Sequence, residues 1–143
     1  MAGIVIIGAG QGAGQAAASL RQAKYEGDIT LIGDEAYPPY QRPPLSKAYL
    51  SGELPIERVY VRAEKFYNDK NIDLKTSTRV ESIDPQAKSV TTDSGETIAY
   101  EKLLIATGSR PRKLSITGSD LQGIHYLRTC LLYTSPSPRD GLL

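Results

Sequence analysis

A glycine-rich turn near the amino terminus has the residue types and spacing of a phosphate-binding loop. Gly8, Gly10 and Ala13 form a Gly-x-Gly-x-x-Ala pattern directly after the β-branched run at residues 4–7. The first glycine permits a tight turn, the second lets the backbone approach a pyrophosphate, and the small third residue lets helix and strand pack closely. Free amide groups and the helix dipole favour an anion at such a helix start. The pattern therefore predicts a dinucleotide-binding turn between a strand and a helix.

An acidic residue stands where the ribose of a dinucleotide would bind. Asp34 follows the second predicted strand, and its carboxylate can accept hydrogen bonds from both hydroxyls of an adenosine ribose. Glu35 is the rival ribose ligand, and we rank it below Asp34. The turn and the acid alone do not distinguish NAD from FAD.

The hydrophobic pattern predicts the elements that position these residues. A strand at residues 4–7, a helix at 15–24 and a strand at 29–32 form one βαβ unit, whose crossover we expect to be right-handed. A proline-rich loop follows, with a short helix at residues 44–50 closed by Gly52. The remaining predicted elements are a helix at 63–71, strands at 74–76, 79–83, 89–92, 97–100 and 102–106, and a hairpin turn at 93–96. The predicted fold class is α/β, a Rossmann-like domain with a parallel sheet and a small antiparallel excursion.

Composition excludes several classes of function. The chain has 143 residues and a net charge of +1, with no long basic run, so it offers no field for a nucleic-acid partner. No apolar run is long enough to cross a membrane, and no secretory signal is evident, so we expect a cytoplasmic protein without a membrane partner. One cysteine and one histidine argue against a disulfide, a CxxC pair or a metal site. Difficult chemistry must then come from a cofactor.

The last residues differ in sequence pattern from the rest of the chain. Residues 130–140 lack any helical or strand period, and they resemble the translation of a transposon-end adapter used in sequencing libraries. We therefore predict that residues 1–129 are the N-terminal part of a cofactor-binding domain, and that residues 130–143 are a non-native tail.

Two further blocks resemble one family of flavoproteins. Residues 39–47, Pro-Tyr-Gln-Arg-Pro-Pro-Leu-Ser-Lys, and residues 104–111, Leu-Ile-Ala-Thr-Gly-Ser-Arg-Pro, are similar to the FAD domain of the NAD(P)H-dependent ferredoxin reductases. Putidaredoxin, rhodocoxin and rubredoxin reductases represent this type, which lies within the pyridine nucleotide-disulfide oxidoreductase superfamily. The resemblance runs from residue 4 to about residue 129, and it implies a truncated FAD/NAD(P)-binding domain.

The resemblance also implies roles for individual residues. Asp34, or its rival Glu35, would bind the AMP ribose, and Lys47 would lie beside the isoalloxazine ring as the catalytic residue. Arg42 would reach the phosphate or adenine side, and Arg128 would help to anchor the FAD. The remaining cofactor-binding residues implied are Gly8, Gly10, Gln11, Gly12 and Ala13 at the pyrophosphate, Val80 at the adenine, and Ala106, Thr107 and Gly108 along the dinucleotide.

The reaction implied by the resemblance is an electron transfer. NAD(P)H would reduce the FAD, and electrons would pass singly to a ferredoxin-type iron–sulfur protein. Arg42 to Lys47 occupy the region in which glutathione-reductase-like enzymes carry their cysteine pair, which disfavours a disulfide reductase of that type. Two alternatives stay open: a fragment of an NAD-binding Rossmann dehydrogenase, and a truncated product without function.

Overall fold

The chain divides into two compact units. In this computed structural model, residues 2–126, 128 and 129 are described, and the predicted tail at 130–143 lies outside them. Among the described residues, one unit combines residues 2–41 with 60–108, and the other combines residues 42–59 with 109–126, 128 and 129. Within the described ranges, no helix is both long and apolar enough to span a membrane.

The first unit is built on a six-stranded sheet. Its strands are β1 Gly3–Ile7, β2 Ile29–Ile32, β3 Ile72–Lys75, β4 Val80–Asp84, β5 Ser89–Thr92 and β6 Thr97–Ile105, in the order β3-β2-β1-β6-β5-β4. The pairs β3-β2, β2-β1 and β1-β6 are parallel, whereas β6-β5 and β5-β4 are antiparallel. The predicted parallel sheet with an antiparallel excursion is therefore confirmed.

The strand β6 corrects one sequence-based prediction. We predicted two strands, at 97–100 and 102–106, but the structure has a single strand over Thr97–Ile105. Its first half pairs antiparallel with β5, and its second half pairs parallel with β1. The apolar run at its end also differs from a strand buried on both faces, because Leu104 is 39% exposed and Ile105 is 60% exposed. The apolar character of Leu104 and Ile105 indicates a strand, but it does not determine whether other side chains bury that strand.

The helix α1, Gln11–Gln22, begins four residues earlier than its predicted start at Gln15. Glycines at positions 12 and 14 have low helix propensity, which hid the first turn from a propensity argument. The turn forms because Ala13 and Ala17, both fully buried, pack against the sheet. Tertiary packing outweighs propensity here.

Apolar side chains cover both faces of the sheet. On one face, Ile6 and Leu31 pack with Ala13 and Ala17 of α1 and with Tyr67 of the helix α2, Glu64–Asp69. On the other face, a second cluster contains Val5, Ile7, Ile32, Val90 and Tyr100. The predicted helix at 63–71 is shorter than expected, since Asn71 has a positive φ of 50° and ends that segment.

One arginine connects the carboxyl end of α1 to the start of β3. The guanidinium of Arg21 donates to the carbonyl oxygens of Lys70 (2.8 Å) and Asn71 (2.7 Å), and to those of Tyr25 (2.6 Å) and Gly27 (2.8 Å). These bonds hold the turn before β2 and the turn before β3 at one helix end. Arg21 thus ties together the turns that lead into two of the parallel strands.

The second unit contains little regular structure among its described residues. The helix predicted at 44–50 is instead a 3₁₀ helix over Pro43–Ser46, followed by turns, and a second 3₁₀ helix covers Ile56–Arg58. The helix ends early because the Lys47 amide donates to the Pro44 carbonyl three residues before it (3.0 Å) and Lys47 has φ −133° and ψ −118°, which is not a helical conformation. Gly52, with a φ of +78°, lies in the turn that ends this segment, as predicted.

Candidate dinucleotide-binding site

The site lies in the first unit, where the carboxyl ends of three parallel strands meet. Ile7 of β1 is in register with Ile32 of β2 and with Ile105 of β6. The Gly8 amide donates to the Ile32 carbonyl (2.7 Å), and the Ala106 amide donates to the Ile7 carbonyl (2.8 Å). The segments that follow these strands therefore share one edge, where open α/β sheets bind their ligands.

Gly8 makes the turn that leaves β1. Its φ is +105°, and a Cβ at this position would lie 2.3 Å from the Ala106 carbonyl oxygen. Both the backbone conformation and the contact with the chain after β6 require a glycine here. The predicted tight turn is present.

The backbone at Gly10 and Gly12 is open. Gly10 precedes α1 with φ −85° and ψ −174°, a conformation that any residue adopts. A Cβ at either glycine would meet no described atom within 4 Å. Neither strain nor packing against the described residues therefore explains these two glycines, and their open backbone leaves room for the close approach of a ligand. The residues present fit a bound pyrophosphate.

The start of α1 can also supply the donors that a phosphate needs. The first intrahelical bond runs from the Gly14 amide to the Gly10 carbonyl (3.0 Å), so the amides of Gln11, Gly12 and Ala13 precede it. The helix has no side-chain cap and no acidic residue in its first turn. An anion is the natural partner for such a helix end.

Gly14 is a site residue that the sequence analysis did not single out. A Cβ at Gly14 would lie 2.6 Å from the Pro39 Cβ and 3.3 Å from the Tyr67 hydroxyl oxygen. The proline-rich loop therefore packs directly on the first turns of α1. Gly14 follows Gly10 by four residues, a spacing that places two residues on the same face of a helix. That spacing was the signal available in the sequence.

The two acidic residues after β2 are in different environments. Asp34 is exposed, whereas Glu35 is half-buried and accepts a hydrogen bond from the Tyr40 hydroxyl. The Glu35 carbonyl also accepts the Ser77 amide (2.9 Å). This difference favours Asp34 over Glu35 as a ligand for ribose hydroxyls, although it tests neither role.

Val80 lies near the same end of the sheet. It is the first residue of β4, and it packs against the cluster that contains Val5 and Ile7. Two residues earlier, the Thr78 amide donates to the Gly33 carbonyl (2.9 Å), which connects the chain before β4 to the end of β2. The adenine contact predicted for the Val80 backbone stays a prediction.

The segment after β6 leaves the sheet beside Gly8. Ala106 is half-buried and contacts the α1 side of the core, whereas Thr107 and Gly108 are exposed. Gly108 has a φ of +72°, so it turns the chain where the strand has ended. The structure thus brings the predicted residues Ala106, Thr107 and Gly108 to the edge that carries the glycine turn.

The other three predicted residues belong to the second unit. Arg42 Nη1 donates to the Arg128 carbonyl (2.5 Å), which joins two residues that the resemblance had placed at the cofactor. Lys47 is exposed, and its amide donates to the Pro44 carbonyl at the end of the 3₁₀ helix (3.0 Å). Their predicted roles at the cofactor remain predictions.

One buried polar atom adjoins the loop on α1. The Tyr67 hydroxyl has no hydrogen-bond partner among the described residues, and Tyr67 is 1% exposed. Burial raises the pKa of Tyr67 to about 12, and the nearby Arg62 opposes part of this increase. Tyr67 is therefore a neutral packing residue under Gly14.

A parallel sheet with a glycine turn after β1, an acid after β2 and an open helix start defines a Rossmann-type dinucleotide-binding domain. The family model for pyridine nucleotide-disulphide oxidoreductases matches residues 2–136. The chain belongs to this family.

Several reductases of electron-transfer proteins are similar to this chain. It is 46% identical over 126 residues to the rubredoxin-NAD(+) reductase of Pseudomonas putida, covering 88% of this chain and 33% of that protein. It is also 46% identical to the rhodocoxin reductase of Rhodococcus erythropolis, covering 88% and 30%. The crystal structure of the ferredoxin reductase for the CYP199A2 system from Rhodopseudomonas palustris superposes with a TM-score of 0.86 at 43% identity, covering 94% and 34%. The putidaredoxin reductase in its covalent complex with putidaredoxin gives 0.78 at 38% identity, covering 82% and 28%.

The chain spans about a third of the length of these relatives. The matched part contains the glycine turn, the acid after β2 and the return of β6 to the sheet edge.

Proposed function

We propose that this chain is the N-terminal part of an FAD-dependent oxidoreductase, which passes electrons from NAD(P)H through FAD to a ferredoxin-type iron–sulfur protein. The observation that carries the proposal is the open backbone at Gly10 and Gly12, where a Cβ would meet no described atom within 4 Å and a pyrophosphate could approach closely. The names of the relatives, rubredoxin-NAD(+) reductase and rhodocoxin reductase, support the class of reaction and of electron acceptor.

FAD is favoured over NAD as the dinucleotide of this site. A dehydrogenase that bound NAD here would use the glycine turn and Asp34, but it would leave the block at residues 42–47 unexplained. The high identity to reductases, which extends across that block, supports a flavin site instead. The NAD-binding dehydrogenase remains the second candidate, and a product without function is the third.

The residues of the first unit would bind the AMP and pyrophosphate portions. The amides of Gln11, Gly12 and Ala13 would donate to the pyrophosphate, because they precede the first intrahelical hydrogen bond. The Asp34 carboxylate would accept the ribose hydroxyls, and Thr107 and Gly108 would line the dinucleotide.

Arg42, Lys47 and Arg128 are proposed for further contacts to the same cofactor. FAD, when bound, would accept a hydride and release single electrons. The Lys47 ammonium would stabilise negative charge that develops on the cofactor, and Arg42 would bind a phosphate or the adenine side. The acceptor protein, the reaction with NAD(P)H and a cytoplasmic location are parts of this proposal.

The test uses the complete reading frame, recovered from the source DNA by amplification without adapters. The purified protein should be yellow, with flavin absorption bands at about 370 and about 450 nm. NADH or NADPH should bleach these bands without oxygen, and a ferredoxin should restore them. A colourless protein that binds NAD alone would overturn the proposal in favour of the dehydrogenase. Recovery of the codons for residues 130–140 from adapter-free DNA would overturn the prediction of a non-native tail.

A further inference from the structure

We propose that Glu35 is a positioning residue that acts through Tyr40, and that it leaves Asp34 as the carboxylate that binds the ribose. The pair would fix the loop at residues 33–41, here called the β2 loop, against the first turns of α1. This inference rests on the proposed function, because it concerns the same dinucleotide site.

Backbone hydrogen bonds hold the start of the β2 loop to the chain that follows β3. The Glu35 carbonyl accepts the Ser77 amide (2.9 Å), and the Gly33 carbonyl accepts the Thr78 amide (2.9 Å). Asp34 therefore lies between two residues whose carbonyl groups are both fixed. Its own side chain is exposed.

The end of the β2 loop is fixed by a different segment. Tyr40 forms an isolated antiparallel bridge with Tyr60, and the Pro39 carbonyl accepts the Val61 amide (2.8 Å). Pro39 is fully buried, and a Cβ on Gly14 would lie 2.6 Å from the Pro39 Cβ. The loop thus touches the helix whose amino end would bind the pyrophosphate.

The side chains of Glu35 and Tyr40 join the two ends of this loop. The Tyr40 hydroxyl donates to Glu35 Oε2, and Tyr40 is only 2% exposed. A carboxylate that binds both ribose hydroxyls uses both of its oxygens, and one Glu35 oxygen already accepts the tyrosine. Because the bond closes the loop between Asp34 and α1, it sets where the Asp34 carboxylate lies relative to the pyrophosphate amides.

The hydroxyl of Tyr40 gives a clean means of testing this role. Tyr40→Phe removes the donor and keeps the buried ring, and Glu35→Gln removes the charge but keeps an acceptor oxygen. A ribose ligand and a positioning residue respond differently to these two changes. Tyr37→Phe, in the same loop, is the matched control.

The experiment measures binding of two probes to the complete protein, freed of FAD, by calorimetry, with circular dichroism to verify folding. ADP contains the ribose and two phosphates, whereas inorganic pyrophosphate lacks the ribose. We expect Tyr40→Phe to weaken ADP binding about three- to tenfold and to change pyrophosphate binding less than about twofold, as the loss of one positioning hydrogen bond predicts. Glu35→Gln should keep ADP affinity within about twofold, Asp34→Asn should lose about tenfold, and Tyr37→Phe should match the wild type.

Several results would overturn the inference. Glu35→Gln weakening ADP binding as much as Asp34→Asn would make Glu35 the ribose ligand. If Tyr40→Phe leaves the ADP affinity unchanged, or weakens the binding of ADP and pyrophosphate equally, the bond between Glu35 and Tyr40 has only a structural role. A complete, folded protein that binds pyrophosphate but not ADP, or neither probe, would contradict the proposed function itself and this inference with it.

Discussion

Gly8 and Ala106 meet at the carboxyl ends of two neighbouring parallel strands, so closely that a Cβ on Gly8 would lie 2.3 Å from the Ala106 carbonyl oxygen. The two residues are far apart in the chain, and the pairing of β1 with β6 brings them together. The glycine turn after β1 and the segment that ends in Gly108 therefore form a single edge. A substitution at Gly8 would disturb both segments at once.

Asp34 is expected to be a principal side-chain ligand of the cofactor. In the complete protein, Asp34→Ala should weaken FAD binding about 10- to 100-fold, because a hydrogen bond to a charged group contributes roughly 1.5–3 kcal/mol. The measurement is the flavin content after extensive dialysis, followed by the dissociation constant for FAD. Glu26→Ala removes a carboxylate from the turn before β2, at the other end of that strand, and should have no effect. Full retention of FAD by Asp34→Ala would reject the assignment.

Lys47 is expected to affect the flavin potential more than flavin binding. Lys47→Gln in the complete protein should shift the midpoint potential of FAD in the negative direction by about 30 mV, which for two electrons corresponds to about 1.4 kcal/mol. The reason is the loss of a cation that stabilises the reduced, more negative cofactor. Spectroelectrochemical titration measures the potential, with the exposed Lys102→Gln as the control. An unchanged midpoint potential in Lys47→Gln would indicate that Lys47 is only a solvated surface charge.

Tyr67 should make the stability of the chain fall in alkaline solution. Because its pKa is raised from 10.0 to about 12, the unfolded state loses this proton at a lower pH than the folded state. The contribution of Tyr67 to stability is therefore intact below pH 10 and declines as the pH rises towards 12. Urea unfolding at several pH values should show that Tyr67→Phe lacks this decline, while Tyr37→Phe retains it. Parallel pH profiles for wild type and Tyr67→Phe would contradict the prediction.

Exposed apolar residues on β6 should make the 143-residue chain associate. Leu104 is 39% exposed and Ile105 is 60% exposed, and Leu104 lines an apolar groove of about 440 Å³ with Ala16 and Leu20 of α1. Large exposed apolar surfaces favour association. We expect the chain to self-associate and to retain no flavin through purification. The double variant Leu104→Thr/Ile105→Thr should associate less than the wild type, as measured by light scattering. Leu50→Thr, which changes an exposed leucine of the second unit, is the control and should associate more than the double variant. A monomeric, yellow wild-type chain would contradict both expectations.

The sequence predicts the elements that rest on short-range patterns better than those that depend on distant contacts. The strands at residues 4–7, 29–32 and 89–92 and the turn at Gly95 follow from short-range patterns, and they are confirmed. The start of α1 and the continuity of β6 depend on packing and pairing with distant residues, which a local pattern does not contain. The hydrogen bond between Tyr40 and Glu35 also depends on the closed loop, so it was not predictable from the spacing of the two residues.

The most direct test of the central claim is an ADP titration of the isotope-labelled complete protein, freed of FAD and followed at its backbone amides by NMR. Gly10 has backbone angles that alanine adopts, and a Cβ there would meet no described atom within 4 Å, so Gly10→Ala should leave the fold intact. The account predicts that ADP shifts the amides of residues 10–13 in the wild type, and that Gly10→Ala weakens this binding at least about tenfold because its methyl group would stand where the backbone approaches the phosphate. Unshifted amides at residues 10–13, or equal ADP affinity in Gly10→Ala, would contradict the claim that this turn binds a dinucleotide.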